Sequence, residues 1–108
     1  MPRIAVFRSK AGLRAAVKAC IKISSIGNCP KGPHGPIEDW DVSAVTDMAD
    51  MFSDTPGFNG DISQWDVSNV ADMSGMFADA TFFNGDISQW DVSSVNDMSG
   101  MFENVRHV

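Results

Sequence analysis

Residues 58 to 77 read FNGDISQWDVSNVADMSGMF, and residues 83 to 102 repeat this stretch almost letter for letter as FNGDISQWDVSSVNDMSGMF. An earlier copy begins at Ile37 and carries the same Trp-Asp-Val-Ser core. The recurring tryptophans are Trp40, Trp65 and Trp90, so the repeat period is 25 residues. A fixed period of about 20 to 50 residues indicates a repeat architecture, in which each unit buries its apolar face against the next unit.

The spacing of apolar residues changes within one repeat. Trp65 and Val67 flank Asp66, and this alternation predicts a short strand with both apolar side chains facing inward. The apolar residues that follow recur at the spacing of a short helix or 3₁₀ turn: Val70, Met73, Met76 and Phe77. Ser68 stands where such a helix would take its N-cap.

These patterns predict an α/β solenoid, which is a leucine-rich-repeat-like stack of 25-residue coils with an N-terminal cap helix. Each coil would contain a short parallel strand plus a short helix, with the strands centred on residues 40–42, 65–67 and 90–92. If an asparagine ladder runs along the stack, it uses Asn59 and Asn84, because Val70 occupies the asparagine position of the leucine-rich motif.

The chain divides into a cap and three repeats. Residues 1–35 form the N-terminal cap, with a helix at about residues 9–24 followed by a Gly/Pro-rich segment. Residues 36–108 form the repeats, and their boundaries are 36–60, 61–85 and 86–108, of which the last is truncated. Whether the chain is a fragment of a longer repeat array is left open.

Charge is distributed unevenly between these two parts. No acidic residue lies between Met1 and Ile37, whereas that stretch has seven Lys and Arg residues. The rest of the chain holds all 14 acidic residues and only Arg106 as a base, for a net charge of −6 overall. An acidic balance argues against a nucleic-acid-binding protein, and no apolar run approaches the roughly 18 to 20 residues of a membrane span.

The basic N-terminal stretch has two interpretations. An Arg- and Lys-bearing segment without acids is typical of an organelle transit peptide. The competing interpretation is the cap helix, because apolar residues recur on one helical face and Ser9 is placed as its N-cap. No signal peptide with an apolar core and a cleavage site is expected in this chain.

The repeat resembles the BspA-like surface-protein repeat, also called the DUF285 repeat, over roughly residues 36 to 108. The resemblance rests on the stretch quoted for residues 58 to 77. The preceding LRAAVKAC and GPHGPI segments resemble the N-terminal flank of protist and algal members. Such repeats occur in bacterial and mycoplasma surface proteins and are grouped with leucine-rich repeats. The resemblance implies a non-enzymatic surface, adhesion or scaffold role, and it transfers no ligand.

Recurring aspartates are the candidate metal ligands. Asp41, Asp66 and Asp91 should form one outward column, where Ca²⁺ could bridge their oxygens. Alternatively, each carboxylate accepts hydrogen bonds from nearby backbone N–H groups, as in Asx turns, and needs no metal. The sequence has no EF-hand loop and no calcium-binding β-helix repeat.

The recurring large apolar residues are interpreted as core and not as a ligand groove, because stacked rings fill the space between coils. These core residues are Trp40, Trp65, Trp90, Met73, Met76 and Phe77.

Cys20 and Cys29 are interpreted as a disulfide that ties the cap helix to the Gly/Pro-rich segment, provided that the compartment is oxidising. With His34 they could form only a partial zinc site, because a fourth ligand is missing. His34 and His107 do not recur with the repeat, so no catalytic site and no cofactor are expected.

The leading functional hypothesis is therefore a non-enzymatic surface or extracellular module for interaction or adhesion, with a protein or glycan surface as its partner. The alternative is a structural unit that assembles with copies of itself, through the C-terminal coil and as a closed dimer. The expected location is extracellular or the cell surface, with an organelle as the alternative. No nucleic acid and no membrane span are expected.

Overall fold

The computed structural model describes residues 4–105. Helix α1 runs over Lys10–Ile23, and its N-terminus is capped by Ser9, whose Oγ accepts a hydrogen bond from the N–H of Gly12 at 3.1 Å. A single 3₁₀ turn, Ile37–Asp39, opens the first repeat. Within the described residues there are no strands, only isolated parallel bridges. None of the helices in this part of the chain is long and apolar enough to cross a membrane.

The predicted α/β solenoid of strand-and-helix coils is wrong. Residues 65–67 and 90–92 are not strands, and 40–42 has only one bridge, which joins Asp41 to Val6 of the cap. The helices predicted after each strand are turns. The inward alternation itself is present, since Trp65 and Val67 are buried while Asp66 is exposed.

Local hydrogen bonds explain why the strands do not form. The carboxylate of Asp66 accepts bonds from the backbone N–H and the hydroxyl of Ser68, at 3.0 and 2.6 Å. On either side, Trp65 donates its N–H to Ile62 and Val70 donates to Val67, each across a tight turn. A side chain that bonds the backbone two residues on competes with a sheet ladder, so the chain turns here instead of extending.

The repeats are joined by backbone hydrogen bonds further along each unit. We call residues 47–54, 72–79 and 97–104 the rung segments. The first and second rung segments are joined by N–H to C=O bonds of 2.8 to 3.0 Å: Met48 to Asp72, Asp50 to Ser74, Phe52 to Met76 and Asp54 to Ala78. The second and third are joined in the same way at 2.9 Å: Met73 to Asp97, Gly75 to Ser99, Phe77 to Met101 and Asp79 to Glu103. Each repeat therefore lies in register on the next, at an offset of one period.

Two positions in every rung segment have left-handed backbone. They form two columns, with φ between 58° and 64°: Asp50, Gly75 and Gly100, and Asp54, Asp79 and Asn104. Gly, Asp and Asn tolerate this conformation better than other residues. Gly75 is also crowded, because a Cβ at this position would collide with the carboxylate of Asp50.

Side chains 25 residues apart form the columns of the core. Phe77 stacks between Phe52 and Phe102, with ring centroids 5.5 and 5.6 Å away. Trp65 stacks on Trp40 at 6.4 Å, and its indole N–H donates to the carbonyl of Ile37 in the preceding repeat at 2.9 Å. Trp65 therefore fills the core and also adds a hydrogen bond between repeats, which its spacing alone does not reveal.

The cap covers the first repeat. The N–H of Phe7 donates to Asp41, while Asn59 donates to the carbonyl of Ile26 at 2.8 Å. Cys20 and Cys29 form a disulfide with a Cα–Cα distance of 5.5 Å, which closes the loop that holds Ile26. The outer parts of the predicted cap and third repeat, residues 1–3 and 106–108, lie outside the described residues.

Replacing Trp65 with alanine should lower the free energy of unfolding by about 3 to 5 kcal/mol, because it opens a cavity between repeats and removes the side-chain hydrogen bond to the Ile37 carbonyl, which keeps only the N–H of Trp40. Trp65→Phe keeps a ring and should cost about 0.5 to 1.5 kcal/mol for the hydrogen bond that is lost. Chemical denaturation measures both values, with Phe82→Ala as the control because Phe82 is 66% exposed. Equal stability of wild type and Trp65→Ala would contradict the role of this column.

Candidate functional site

Aspartates on the repeat surface are held by short-range hydrogen bonds. In every Asp-x-Ser sequence the carboxylate accepts from the serine N–H at 2.8 to 3.0 Å and from the serine hydroxyl at 2.6 to 2.7 Å. The aspartates held in this way are Asp41, Asp61, Asp66, Asp72, Asp86, Asp91 and Asp97. We call these the Asp-Ser turns. They fix both the position and the direction of each carboxylate.

Five aspartates of the Asp-Ser turns are exposed, and four of them form two columns outside the rung segments: Asp61 and Asp86, and Asp66 and Asp91. Negative charges within a column repel each other, since the charge on Asp86 opposes the ionisation of Asp61. We call these four residues the acidic face. Because their carboxylates are fixed and solvent-accessible, the acidic face can bind cationic groups without reorganising.

The serine partners keep the acidic face ionised. Hydrogen bonds from the hydroxyl and the N–H of Ser68 lower the pKa of Asp66, and the lowering outweighs the opposing effects of burial and of the charges on Asp41 and Asp91. The pKa of Asp91 is lowered by Ser93 in the same way. The face therefore carries its full negative charge at neutral pH.

The structure places the three candidate calcium ligands, Asp41, Asp66 and Asp91, in one column of Asp-Ser turns. Each of these carboxylates accepts hydrogen bonds from its serine, as expected if the aspartates form Asx turns and need no metal. Among residues 4–105 no group of three or more Asp, Glu, His or Cys side chains could hold a metal ion. Calcium binding by this column stays an untested prediction.

The other candidate residues lie away from this surface. The core candidates are almost fully buried: Trp40, Trp65, Trp90, Met73, Met76 and Phe77. Cys20 and Cys29 are bonded to each other, so neither is free to act as a thiolate ligand beside His34. His34 packs edge-on against Phe7 and Trp40, with ring centroids 5.5 and 5.9 Å away.

An asparagine ladder is confirmed at the predicted positions. The side-chain oxygen of Asn59 accepts a hydrogen bond from the N–H of Asn84 at 2.9 Å. Another asparagine, Asn104, donates from its side chain to the carboxylate of Asp79 at 2.8 Å. This bond was not predicted from the repeat, because the two earlier repeats have aspartate at the equivalent position.

The comparisons with known proteins point to one family. A family model described as "Mycoplasma protein of unknown function, DUF285" matches residues 23–108. No curated protein and no solved structure matches the chain.

Acid should destabilise the protein as the aspartate carboxylates of the Asp-Ser turns become protonated. The pKa of each aspartate in the turns of the acidic face is lower in the folded chain than the value of about 3.9 expected when unfolded. Their stabilising contribution is thus complete above pH 3.9 or so and is lost as pH falls through the folded pKa values. Thermal melts between pH 6 and pH 2.5 should show a midpoint that falls steeply below about pH 4.

Ser68→Ala provides the control, because it removes the hydroxyl bond that contributes most to the low pKa of Asp66. The variant should be less stable at neutral pH and should lose less stability on acidification. A wild-type midpoint that stays constant down to pH 2.5 would contradict the role of the turns.

Proposed function

Since the chain belongs to the DUF285 family, we propose that it is a non-enzymatic interaction module of a surface or extracellular protein, and that the acidic face binds a cationic protein or glycan surface. One observation carries the proposal. The carboxylates of the acidic face are exposed, ionised and held by their own serines, so each is presented in a fixed direction.

The distribution of charge supports this assignment. The basic part of the chain is not spread over the repeats, because it forms the cap and packs on the first repeat through the buried face of α1. Lys10 pairs with Asp47 at 3.8 Å, and Arg14 donates to the hydroxyl of Ser53 at 3.3 Å. These two cap bases thus contact the first rung segment, and neither contact uses a residue of the acidic face.

An extracellular or cell-surface location is part of the proposal. The disulfide between Cys20 and Cys29 supports it, since such bonds persist in oxidising compartments and are rare in the cytosol. The packing of α1 onto the first repeat gives the basic stretch a structural role, which favours the cap over a transit peptide.

A second candidate is a structural unit that assembles with other repeats. Met98 and Phe102 favour it, because they are 45% and 44% exposed while their counterparts one repeat earlier are fully buried. The two candidates differ in the surface that they use, which is the acidic face in one and the end of the third repeat in the other.

The acidic face is tested by neutralising it without disturbing its turns. In Asp66→Asn with Asp91→Asn, the amide oxygen can still accept from the serine while two charges are removed. Asp50→Asn with Asp54→Asn is the matched control, because it removes the same charge beside α1, where asparagine also tolerates the left-handed backbone.

Binding to immobilised poly-lysine, measured over a range of salt concentrations, should weaken about fivefold or more in the first variant and much less in the second. Circular dichroism checks that both variants are folded. Equal loss in the two variants would show that binding follows net charge alone and would contradict a specific acidic face.

A further inference from the structure

The hydrogen bonds between repeats have a direction. In the second rung segment, carbonyls 72, 74, 76 and 78 point to the first repeat, and N–H groups 73, 75, 77 and 79 point to the third. The peptide groups of this segment are therefore aligned along the repeat axis. An aligned row of peptide groups presents donors at one end and acceptors at the other.

The donor end lies on the third repeat. Four N–H groups of the third repeat are equivalent to those that donate to the next repeat in the first and second repeats. They belong to Met98, Gly100, Phe102 and Asn104. Within residues 4–105 they have no backbone acceptor. We call this row the donor edge. Beside it, Met98 and Phe102 expose nearly half of their surface.

The acceptor end lies on the first repeat and is covered. The carbonyls equivalent to the acceptors of the second repeat belong to residues 47, 49, 51 and 53. Helix α1 lies along this edge, where Lys10 and Arg14 contact Asp47 and Ser53. Positive side chains beside the carbonyl end complement its partial negative charge.

We propose that the donor edge binds a repeat of the same type whose carbonyl edge is not covered by a cap helix. Such a partner supplies a row of carbonyls with the spacing of the rung segments. Its phenylalanine, equivalent to Phe77, would stack on Phe102 as Phe77 stacks on Phe52 at 5.5 Å. The interface is then a continuation of the one that already joins the three repeats.

A second copy of the capped chain does not fit the donor edge. Two donor edges brought together supply donors on both sides. The bonds of opposite direction beside the rung segments, Ala71 to Thr46 and Asn96 to Ala71, place a single acceptor at one end of the row, the carbonyl of Asn96. The acceptor edge of the copy is covered by its own α1. The closed dimer through the C-terminal coil is therefore disfavoured by the direction of its hydrogen bonds.

The test uses a synthetic peptide with the sequence of residues 61–85, titrated into the ¹⁵N-labelled full chain. The amide signals of Met98, Gly100, Phe102 and Asn104 should shift in a saturable way, while a scrambled peptide of the same composition should leave them unchanged. Phe102→Asp should weaken peptide binding by about tenfold or more, whereas Phe82→Asp, at an exposed phenylalanine away from this edge, should change it less than twofold.

Met98→Asp is a second edge variant in case Phe102→Asp lowers stability, which thermal melts will show. Three results would overturn the proposal. These are an absence of shifts up to millimolar peptide, equal shifts with the scrambled peptide, or dimerisation of the chain alone that sedimentation detects and Phe102→Asp abolishes. The last result would assign the edge to a second copy.

Discussion

Backbone hydrogen bonds between the rung segments, which all point in one direction along the repeat axis, hold the repeats in register. Each rung segment donates to the next and accepts from the previous one, so the units remain in register without strands. This arrangement requires left-handed backbone at fixed places, which explains why Asp50, Gly75 and Gly100 share one column. A β-branched residue at these positions would be strained. The rung segments therefore constrain the choice of residues as strictly as the apolar core does.

The rest of each repeat depends on this alignment. With the rung segments in register, Phe52, Phe77 and Phe102 meet face to face. Trp65 and Trp90 each donate to a carbonyl of the preceding repeat. The Asp-Ser turns satisfy backbone N–H groups within each repeat. The turns at Asp72 and Asp97 lie inside the rung segments, whereas those of the acidic face lie outside them. These turns also produce a surface of fixed carboxylates, which is the surface of the proposed binding role.

Part of this architecture could be predicted from the sequence. The 25-residue period identifies the units, and the burial of Trp65, Met73 and Phe77 follows from their recurrence. The strands could not be excluded by the same reasoning, because alternation of Trp65 and Val67 around Asp66 is equally compatible with a turn. The serine two residues after Asp66 indicates the turn, although the same Asp-x-Ser sequence at Asp72 and Asp97 lies within rung segments that bond to the neighbouring repeats. Its effect is local, whereas the period-two pattern records only which side chains are buried.

The acidic face and the donor edge differ in how far they could be foreseen. Recurrence of Asp66 and Asp91 marks a column, and the presence of serine at each following position indicates how the carboxylates are satisfied. The direction of the hydrogen bonds between the rung segments cannot be predicted from the pattern of apolar residues. Only the conformational tolerance of Gly75 and Asp79 hints at left-handed backbone, and these residues are equally common in ordinary turns.

Native-state hydrogen exchange tests most directly in which direction the hydrogen bonds between the rung segments point. The account predicts slow exchange at the N–H groups of Asp50, Phe52, Gly75 and Phe77, which donate to the next repeat, and fast exchange at Gly100 and Phe102 on the donor edge. The opposite pattern, or equal protection of Phe77 and Phe102, would contradict it.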